Sequence, residues 1–293
     1  VYNRPDELGE LLHSIAQLDQ APLFEVIVID DGSTLRSKEI IERYDFLDIH
    51  YYFKENTGPG DSRNFGMRKA VGDYFIILDS DCILAADYLS SVDRALNEHF
   101  VDCFGGPDAA HPSFNLRQRT ISFIMTSFWT TGGIRGNKKN IKRFEPRSFN
   151  MGLSRKAFEQ SLGFGHLHPG EDPELVHRLW EMGFKTSFIQ NALVYHKRRI
   201  TWSSYARQIY RFGLARSILN SWRPQNASWV FWLPSFMVLI GICSIGLFVL
   251  KYYELAYLVL AYALFIACVG MLKIKSIMAL VTVPWAFGIQ STA

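Results

Sequence analysis

Two acidic residues with one serine between them, Asp79-Ser80-Asp81, directly follow the apolar run Tyr74–Leu78, which has the length of a buried strand. In an extended chain, residues i and i+2 point the same way, so the two carboxylates are expected to converge. Converging carboxylates repel each other unless a cation lies between them. Oxygen ligands suit Mg²⁺ or Mn²⁺, usually shared with substrate phosphates, so this spacing predicts a divalent-cation site.

A second acidic pair, Glu171-Asp172, lies in Pro169–Leu179 (PGEDPELVHRL), where a turn leads into a predicted helix. Helix capping accounts for one acid at this place but does not require two in a row. A carboxylate at a loop-to-helix junction that faces a cleft can act as a general base. We therefore treat this pair as candidate catalytic residues.

A third acidic pair, Asp30-Asp31, follows the apolar run Phe24–Ile29 (FEVIVI). It is either a turn with an Asx cap or a place where a carboxylate binds a nucleotide base or ribose. No GxGxxG follows this strand, which argues against NAD, and no P-loop or nucleophile motif is apparent. His196 ends the strand-like run Ala192–Tyr195 and is a candidate third metal ligand, although a lone histidine is more often structural.

Strand-like runs alternate with helices of about ten residues, which predicts an α/β fold with a mostly parallel sheet. In such sheets, ligands bind at the carboxyl ends of the strands, where these acids lie. The predicted strands are Phe24–Ile29, Ile49–Phe53, Tyr74–Leu78 and Val101–Phe104. The predicted helices begin at Pro5 and Asp61 or cover Ser37–Tyr44 and Asp87–Glu98. The apolar run Ile121–Thr131 is too short to span a membrane and is expected to be a core helix.

The chain has 293 residues and a net charge of +3, but its C-terminal part differs from the rest. Trp229–Leu250 contains no charged residue, and a second uncharged run lies between Glu254 and Lys273. Each run is near the ~20 residues that a membrane-spanning helix needs. Neither run has a polar face, so we favour membrane spans over buried core helices. A third apolar run, Ile277–Ile289, reaches the chain end, which we expect to be cut short.

Basic residues are dense before the first predicted span and sparse between the two spans. Those before it are Lys197, Arg198, Arg199, Arg207, Arg211, Arg216 and Arg223, and only Lys251 lies between the spans. The positive-inside rule then predicts a multi-pass protein of the cell (inner) membrane with a cytoplasmic N-terminal domain. The basic segment Arg135–Arg143 is either a solvated loop or a contact for anionic phosphates or lipid.

The four cysteines include no CxxC, which argues against a disulfide framework or zinc ribbon and agrees with a reducing compartment. The opening residues VYNRP have the pattern of a strand's end, so we expect an N-terminal truncation. No feature predicts a nucleic-acid partner.

Five segments in this order resemble family 2 glycosyltransferases, from Val1 to about Gly213. They are VYNRPDEL, VIVIDDGST, NTGPGDSRNFGMRKAVGDYFIILDSD, FNMGLSRKAF and LGFGHLHPGEDPELVHRLWEMGF. The resemblance implies a GT-A fold, with a mixed, mostly parallel sheet flanked by helices, and a nucleotide-diphospho-sugar donor. The donor-binding residues that we predict are Tyr2, Asn3, Asp30, Asp31, Arg63, Asn64, Asp79 and Ser80.

The same resemblance assigns metal binding to Asp79 and Asp81, to which the strand-end argument adds His196, with Mn²⁺ or Mg²⁺ as the cation. It implies that Asp172, in the pair with Glu171, is the catalytic base. Base catalysis by a carboxylate fits one direct displacement that inverts the anomeric configuration without a covalent intermediate.

Gln208 and Arg211 resemble the acceptor-side Q-x-x-R-W signature of processive synthases, but Phe212 stands in the tryptophan position. This departure favours a non-processive enzyme acting on a lipid-linked or cell-surface glycan precursor at the lipid bilayer. The alternatives are a processive polysaccharide synthase and, less favoured, a non-catalytic sugar-nucleotide-binding membrane subunit.

The predicted domains are a glycosyltransferase domain over residues 1–222 and a region of two or three transmembrane helices over residues 229–293. Within the first, residues 1–106 form the nucleotide-binding half, 107–200 the acceptor and catalytic half, and 201–222 a juxtamembrane amphipathic helix.

Overall fold

A computed structural model describes residues 1–132, 144–197, 201–227 and 229–293. The basic segment Arg135–Arg143 lies outside the described residues. The chain forms two compact units. The first contains Val1–Ala109 and the described part of Gly136–His196, and the second contains the described parts of Ala110–Arg135 and Lys197–Ala293.

In chain order, the helices are α1 Pro5–Ile15, α2 Lys38–Ile41, α3 Pro59–Lys69, α4 Tyr88–Glu98, α5 Leu116–Thr126, α6 Phe128–Thr131, α7 Arg155–Ser161, α8 Glu171–Glu181, α9 Trp202–Trp222, α10 Leu233–Val249, α11 Glu254–Ile274 and α12 Ala279–Thr292. The strands are β1 Val26–Asp31, β2 Ile49–Lys54, β3 Tyr74–Leu78, β4 Cys82–Leu84, β5 Cys103–Gly105, β6 Asp108–Ala109, β7 Asn150–Ser154, β8 Thr186–Phe188 and β9 Val194–His196.

The strands of the first unit form three small sheets, with orders β1-β2, β3-β7-β5-β8 and β4-β9-β6. Among the described strands, the pairs β1·β2, β5·β8 and β6·β9 are parallel. The pairs β3·β7, β5·β7 and β4·β9 are antiparallel. The mixed α/β class is confirmed, but the prediction of a mostly parallel sheet is wrong, because only half of the described strand pairs are parallel. Two of the antiparallel pairs arise because β7 lies between β3 and β5, and the third joins β4 to β9 in a separate sheet.

Several predicted elements occur where the sequence placed them. Strand β3 covers Tyr74–Leu78, and α1 begins at Pro5 and buries Leu8, Leu11 and Leu12. Proline suits the first helical turn because its missing N–H has no intrahelical partner there. Several boundaries differ by one to three residues. The largest differences that concern the site are that Asp30 and Asp31 are the last residues of β1 rather than the loop after it, and that α3 begins at Pro59.

The second unit is helical, and its core combines α5 with the C-terminal helices. Ile121 and Met125 of α5 cluster with Tyr205 of α9, Ile266 of α11 and Val283 of α12. The short run Ile121–Thr131 therefore contributes to a helical core, as expected. The predicted domain border at residue 222 differs from this grouping, because the apolar face of α5 packs on helices from beyond that border.

Two helices of the second unit are long and apolar enough to cross a membrane, at Val230–Val249 and Glu254–Ile274. Only 6% of the first and 17% of the second is buried within the chain. A helix in the core of a water-soluble domain would bury most of its apolar side chains. The third apolar run is α12, whose Ala279, Val283 and Ala286 are buried in the core of this unit.

Candidate active site

Helix α8 begins with the acidic pair, immediately after Gly170, whose φ of +120° suits glycine. Glu171 is almost fully enclosed by partners. Its Oε1 accepts a hydrogen bond from Arg63 at 3.0 Å, and its Oε2 accepts one from the Gly170 N–H at 3.0 Å and lies 3.2 Å from His168 Nδ1. Burial opposes ionisation, but the His168 hydrogen bond and the Arg63 charge outweigh it and lower the pKa of Glu171.

Asp172 is held differently, although it is the next residue. Burial raises the pKa of its carboxyl above the ordinary value, the Arg147 charge opposes this, and the Glu171 charge adds to it. The nearest Arg147 nitrogen lies 3.9 Å from Asp172 Oδ2, and the Ser148 N–H approaches the same oxygen at 3.4 Å. Neither contact is a close hydrogen bond. Asp172 is therefore the carboxylate of the pair that is better suited to accept a proton.

Arg63 joins two acidic motifs that are far apart in the sequence. Its guanidinium donates to Asp79 Oδ1 at 2.7 Å and to Glu171 Oε1 at 3.0 Å. It also lies over the Phe164 ring, 5.3 Å from the centroid. Burial lowers the pKa of this guanidinium, but the charges of Asp79 and Glu171 outweigh that effect and raise it, so Arg63 stays charged. Sequence reasoning expected Arg63 beside a diphosphate, whereas here it neutralises protein carboxylates.

The segment Asp79-Ser80-Asp81 forms a turn between β3 and β4, closed by a hydrogen bond from the Cys82 N–H to the Asp79 carbonyl at 3.1 Å. The expectation that both carboxylates converge as in an extended chain is wrong for this arrangement, because the turn sends them to different partners. Asp79 faces Arg63, whereas Asp81 lies 3.2 Å from Arg4 Nη1 and 3.1 Å from His196 Nε2.

The donor atoms near Asp81 are suitable for a metal ion. Ligand atoms of Asp81, Cys82 and His196 all lie within 4.8 Å of one another. The Cys82 thiol donates a hydrogen bond to the Phe149 carbonyl at 3.4 Å, which leaves the carboxylate and the imidazole as the better ligands. One oxygen and one nitrogen donor suit Mn²⁺ better than Mg²⁺. Asp81 and His196 therefore fit a divalent cation, and Asp79 lies in the same turn, separated from Asp81 by Ser80.

Both carboxylates of the acidic pair at the end of β1 accept hydrogen bonds from protein groups. Asp30 Oδ1 accepts from the Ser33 N–H at 2.9 Å, and its Oδ2 accepts from the Tyr51 hydroxyl at 2.6 Å. Burial of Asp30 would raise its pKa, but these hydrogen bonds outweigh that effect and lower it. Asp30 therefore fixes the loop after β1.

Asp31 holds the next loop along this edge. It accepts from Lys54 Nζ at 2.5 Å and from the N–H groups of Thr57 and Gly58, each at 3.0 Å. Burial again opposes ionisation, and the hydrogen bonds from Lys54 and Thr57 outweigh it and lower the pKa of Asp31. The loop that it secures leads directly into α3, which carries Arg63.

Two predicted donor-binding asparagines also bind protein groups. Asn3, at φ +52°, accepts from the N–H groups of Thr34 and Leu35 through Oδ1. Asn64 exchanges two hydrogen bonds of 2.8 Å with the backbone of Phe164. Both side chains therefore shape loops at the site, whereas Tyr2 is 52% exposed and available to a ligand.

Sequence reasoning missed several residues of the site: Arg4, Tyr51, Lys54, Glu145, Arg147 and His168. Arg4 follows the VYN segment directly, so its position was a usable signal. His168 lies only three positions before Glu171, so it also had a local signal. The remaining residues carry no local pattern, because each has a partner in a distant segment. Gln208 and Arg211, predicted to bind the acceptor, lie on α9 of the second unit, and that assignment stays a prediction.

A family model described as "Glycosyl transferase family 2" matches residues 1–162, which is more than half of the chain. The chain belongs to glycosyltransferase family 2. A poly(ribitol-phosphate) beta-N-acetylglucosaminyltransferase, TarS of Staphylococcus aureus (strain Mu50 / ATCC 700699), is 32% identical over 105 residues. That match covers 34% of this glycosyltransferase and 18% of TarS.

Solved structures with the same fold include a mannosyltransferase from Pyrobaculum calidifontis in complex with GDP-Man and Mn²⁺, with a TM-score of 0.61 and 16% identity. The comparison covers 99% of this chain and 81% of that one. TarS residues 1–349 in complex with UDP-GlcNAc align with a TM-score of 0.52 and 16% identity, over 99% of this chain and 88% of that one. The predicted family, GT-A fold and enzyme class are confirmed.

Proposed function

We propose that this glycosyltransferase moves a sugar from a nucleotide-diphospho-sugar to an acceptor hydroxyl with inversion, and that Asp172 is the catalytic base. One observation carries the proposal: two adjacent carboxylates have opposed environments. Glu171 is ionised and fully hydrogen-bonded, whereas burial raises the pKa of Asp172. A base is most effective when its pKa lies near the working pH, which favours Asp172.

In this mechanism, Asp172 takes the proton from the acceptor hydroxyl as that oxygen attacks the anomeric carbon. The bond between this carbon and the diphosphate oxygen breaks, and the nucleoside diphosphate leaves with the electron pair. One displacement inverts the configuration, and no covalent enzyme intermediate forms. The Arg63 bridge holds Glu171 beside Asp172, and the charge of Glu171 helps to keep the base proton-accepting.

A divalent cation, when bound, would stabilise the negative charge that develops on the leaving diphosphate. We propose Asp81 and His196 as its protein ligands, with Asp79 nearby, on the basis of the donor atoms that cluster there. The Mn²⁺ bound together with GDP-Man in the similar mannosyltransferase supports this choice of ion. Replacement of Asp81 by Asn should weaken nucleotide binding in Mn²⁺ but leave binding in EDTA unchanged. Equal loss in both conditions would contradict the metal assignment.

The proposed donor class is supported by the two structural neighbours, which are complexes with GDP-Man and with UDP-GlcNAc. In this chain, we propose that the loops secured by Asp30, Asp31 and Asn3 shape the nucleotide pocket and that Tyr2 stacks on the base. Its exposed ring has the flat apolar surface that such stacking needs.

We also propose membrane association through α10 and α11, since both are apolar and mostly unburied. No acidic residue occurs between Glu181 and Glu254, and α9 exposes an apolar row of Tyr210, Leu214, Ile218 and Trp222. Such a helix suits the surface of an anionic bilayer.

From the positive-inside rule, we infer that the first unit is cytoplasmic and that the acceptor is a lipid-linked or cell-surface glycan precursor. Phe212 in the tryptophan position favours non-processive transfer.

Replacement of Asp172 by Asn tests the function in the full chain, solubilised in detergent. We expect unchanged donor affinity and a loss of transfer of about 10²- to 10⁴-fold, which is the usual contribution of a general base. An acceptor screen with candidate nucleotide sugars supplies the assay, and the anomeric configuration of the product tests inversion. Transfer by the variant at the wild-type rate would overturn the assignment of the base.

A further inference from the structure

The segment that leads into β7 places two charged side chains beside the catalytic helix. From Phe144 to Ser148, burial alternates along the chain: Phe144, Pro146 and Ser148 are buried, and Glu145 and Arg147 lie on the other side. The segment is anchored because the Asn150 N–H donates to the Arg147 carbonyl at 2.9 Å. Glu145 and Arg147 are therefore presented together on a fixed piece of backbone.

Glu145 connects Arg147 to α8. Its Oε1 accepts a hydrogen bond from His177 Nε2 at 3.0 Å, and its Oε2 lies 3.3 Å from Arg147 Nη2. His177 is 1% exposed and stacks on Trp180, with 5.2 Å between ring centroids. A carboxylate can only accept, so His177 must carry its proton on Nε2. The buried histidine thus fixes Glu145, and Glu145 fixes one end of the guanidinium.

The other end of Arg147 approaches Asp172 without a close contact. Its Nη1 lies 3.9 Å from Asp172 Oδ2, which is too long for a hydrogen bond but close enough for a strong interaction between charges. A direct two-bond pair would occupy the lone pairs that a base needs. The hold of Glu145 on Arg147 keeps the two groups at this separation, so Asp172 is steadied as an anion while its oxygens stay available.

We propose that Arg147 is a positioning residue for Asp172, and that Glu145, held by His177, sets how strongly Arg147 acts. The proposal rests on the proposed function, since it concerns the same base. Among the residues that the structure describes, three charged groups face Asp172: Glu171 on its own helix, Arg63 on α3, and Arg147 from the segment before β7, with Glu145 behind it. Glu145 is the charged partner of Arg147, so replacing it can change the effect of Arg147 while Asp172 itself is untouched.

The two members of the pair should therefore act in opposite directions on the pH dependence of transfer. In Arg147→Gln, the charge that favours ionised Asp172 is lost, so the acidic limb of the kcat profile should move to higher pH. In Glu145→Gln, Arg147 loses its competing partner and turns toward Asp172, so the limb should move to lower pH. Both variants should lower the maximal kcat by roughly 10- to 100-fold, because the base is misplaced or its lone pairs are occupied.

The experiment measures kcat and donor KM against pH for the full chain in detergent. Arg147→Lys keeps the charge and should leave the limb near its wild-type position, even where geometry lowers kcat. The matched controls are Arg94→Gln and Glu98→Gln on the exposed face of α4, which should match the wild type. The donor KM should change little in all variants, since neither Arg147 nor Glu145 is among the residues that we propose to bind the donor.

Limbs that stay in place, or move in the same direction, in Arg147→Gln and Glu145→Gln would overturn the proposal and indicate a structural role. If Arg147→Gln does not fold, the limb in Glu145→Gln and in Arg147→Lys still decides it. Failure of the proposed function is a separate result: Asp172→Asn would then retain transfer. Loss of transfer in Asp172→Asn with unmoved limbs contradicts only the role of Arg147 and Glu145.

Discussion

The first unit contains two pairs of consecutive acidic residues that look alike in the sequence but have different surroundings in the structure. Asp30 and Asp31, at the end of β1, each have a lowered pKa and several close hydrogen-bond donors. Glu171 and Asp172, at the start of α8, have pKa values moved in opposite directions. The first pair uses its charge to hold loops, and the second divides its work between a fixed anion and a carboxylate free to react.

The hydrogen-bonding and ionic partners of an acidic residue, rather than its place at a strand or helix end, therefore decide whether it stabilises a loop or can act as a base. Both carboxylates of the first pair meet N–H, O–H or ammonium donors at hydrogen-bond distance. In the second pair, Arg63 donates to Glu171, and the nearest cation to Asp172 among the described residues, Arg147, lies 3.9 Å away. A carboxylate that accepts several close hydrogen bonds stabilises the fold, whereas a catalytic carboxylate keeps an oxygen able to accept a proton.

The largest expected effect is a difference in thermal stability between two variants, one with an acid of the first pair replaced and one with an acid of the second pair replaced. Asp31→Ala removes the nearest carboxylate from the Lys54 ammonium, whose side chain is 13% exposed, and the acceptor of the Thr57 and Gly58 N–H groups. The change should cost about 3 kcal/mol, or roughly 10 °C in melting temperature. Asp172→Asn should leave stability unchanged or raise it, because its carboxyl is ionised against the cost of burial. Thermal melting of the full chain checks this prediction. The transition to follow is the one whose melting temperature increases when nucleotide is added.

Exposed Asp93→Ala is the control for helix and charge effects that have nothing to do with burial. Equal loss of stability in Asp31→Ala and Asp172→Asn would remove the contrast between the two pairs.

A smaller effect concerns acid. Because the folded pKa values of Asp30 and Asp31 lie below the ordinary 3.8, their stabilisation is present above that pH and is lost as the pH falls toward the folded values. Asp172 has a raised pKa, so its contribution has the opposite sign: it favours the fold at low pH and is lost as the pH rises through the folded value. The melting temperature should therefore fall below about pH 4.

In Asp31→Ala, the same decline should be shallower, since one of the two responsible carboxylates is gone. A decline as steep as that of the wild type would assign acid sensitivity to other groups.

The smallest effect is expected within the second pair. Glu171→Gln removes a negative charge that raises the pKa of Asp172, so the acidic limb of kcat should move to lower pH. Transfer should persist at a reduced rate, because Arg63 loses one of its two carboxylate partners and is held less firmly. The pH profile of kcat at saturating donor provides the check. A variant as inactive as Asp172→Asn would give Glu171 an equal share in the chemistry.

Much of this arrangement could be predicted from local pattern. The apolar run of β3 and the turn before α8 indicated the right elements, because strand and helix signals are short-range. The order of five motifs indicated the family and the fold, which the family model confirms.

Partner choice could not be predicted in the same way. Spacing suggested that Asp79 and Asp81 share one ligand, but the chain turns at Ser80, and each carboxylate meets a different cation. Arg63 and Glu171 are more than a hundred positions apart, and no periodicity links them. Arg147 lies in an irregular segment whose role depends wholly on the helix packed beside it.

The ionisation of Asp172 itself can be measured. Infrared difference spectra between the wild type and Asp172→Asn, recorded against pH, report the carbonyl band of the protonated carboxyl at this position. We expect this band to persist above the pH at which an ordinary aspartate has ionised, and the matching spectra for Glu171→Gln to show no protonated carboxyl in the same range. A band that disappears at or below the ordinary aspartate pH, or that belongs to Glu171, would contradict this expectation.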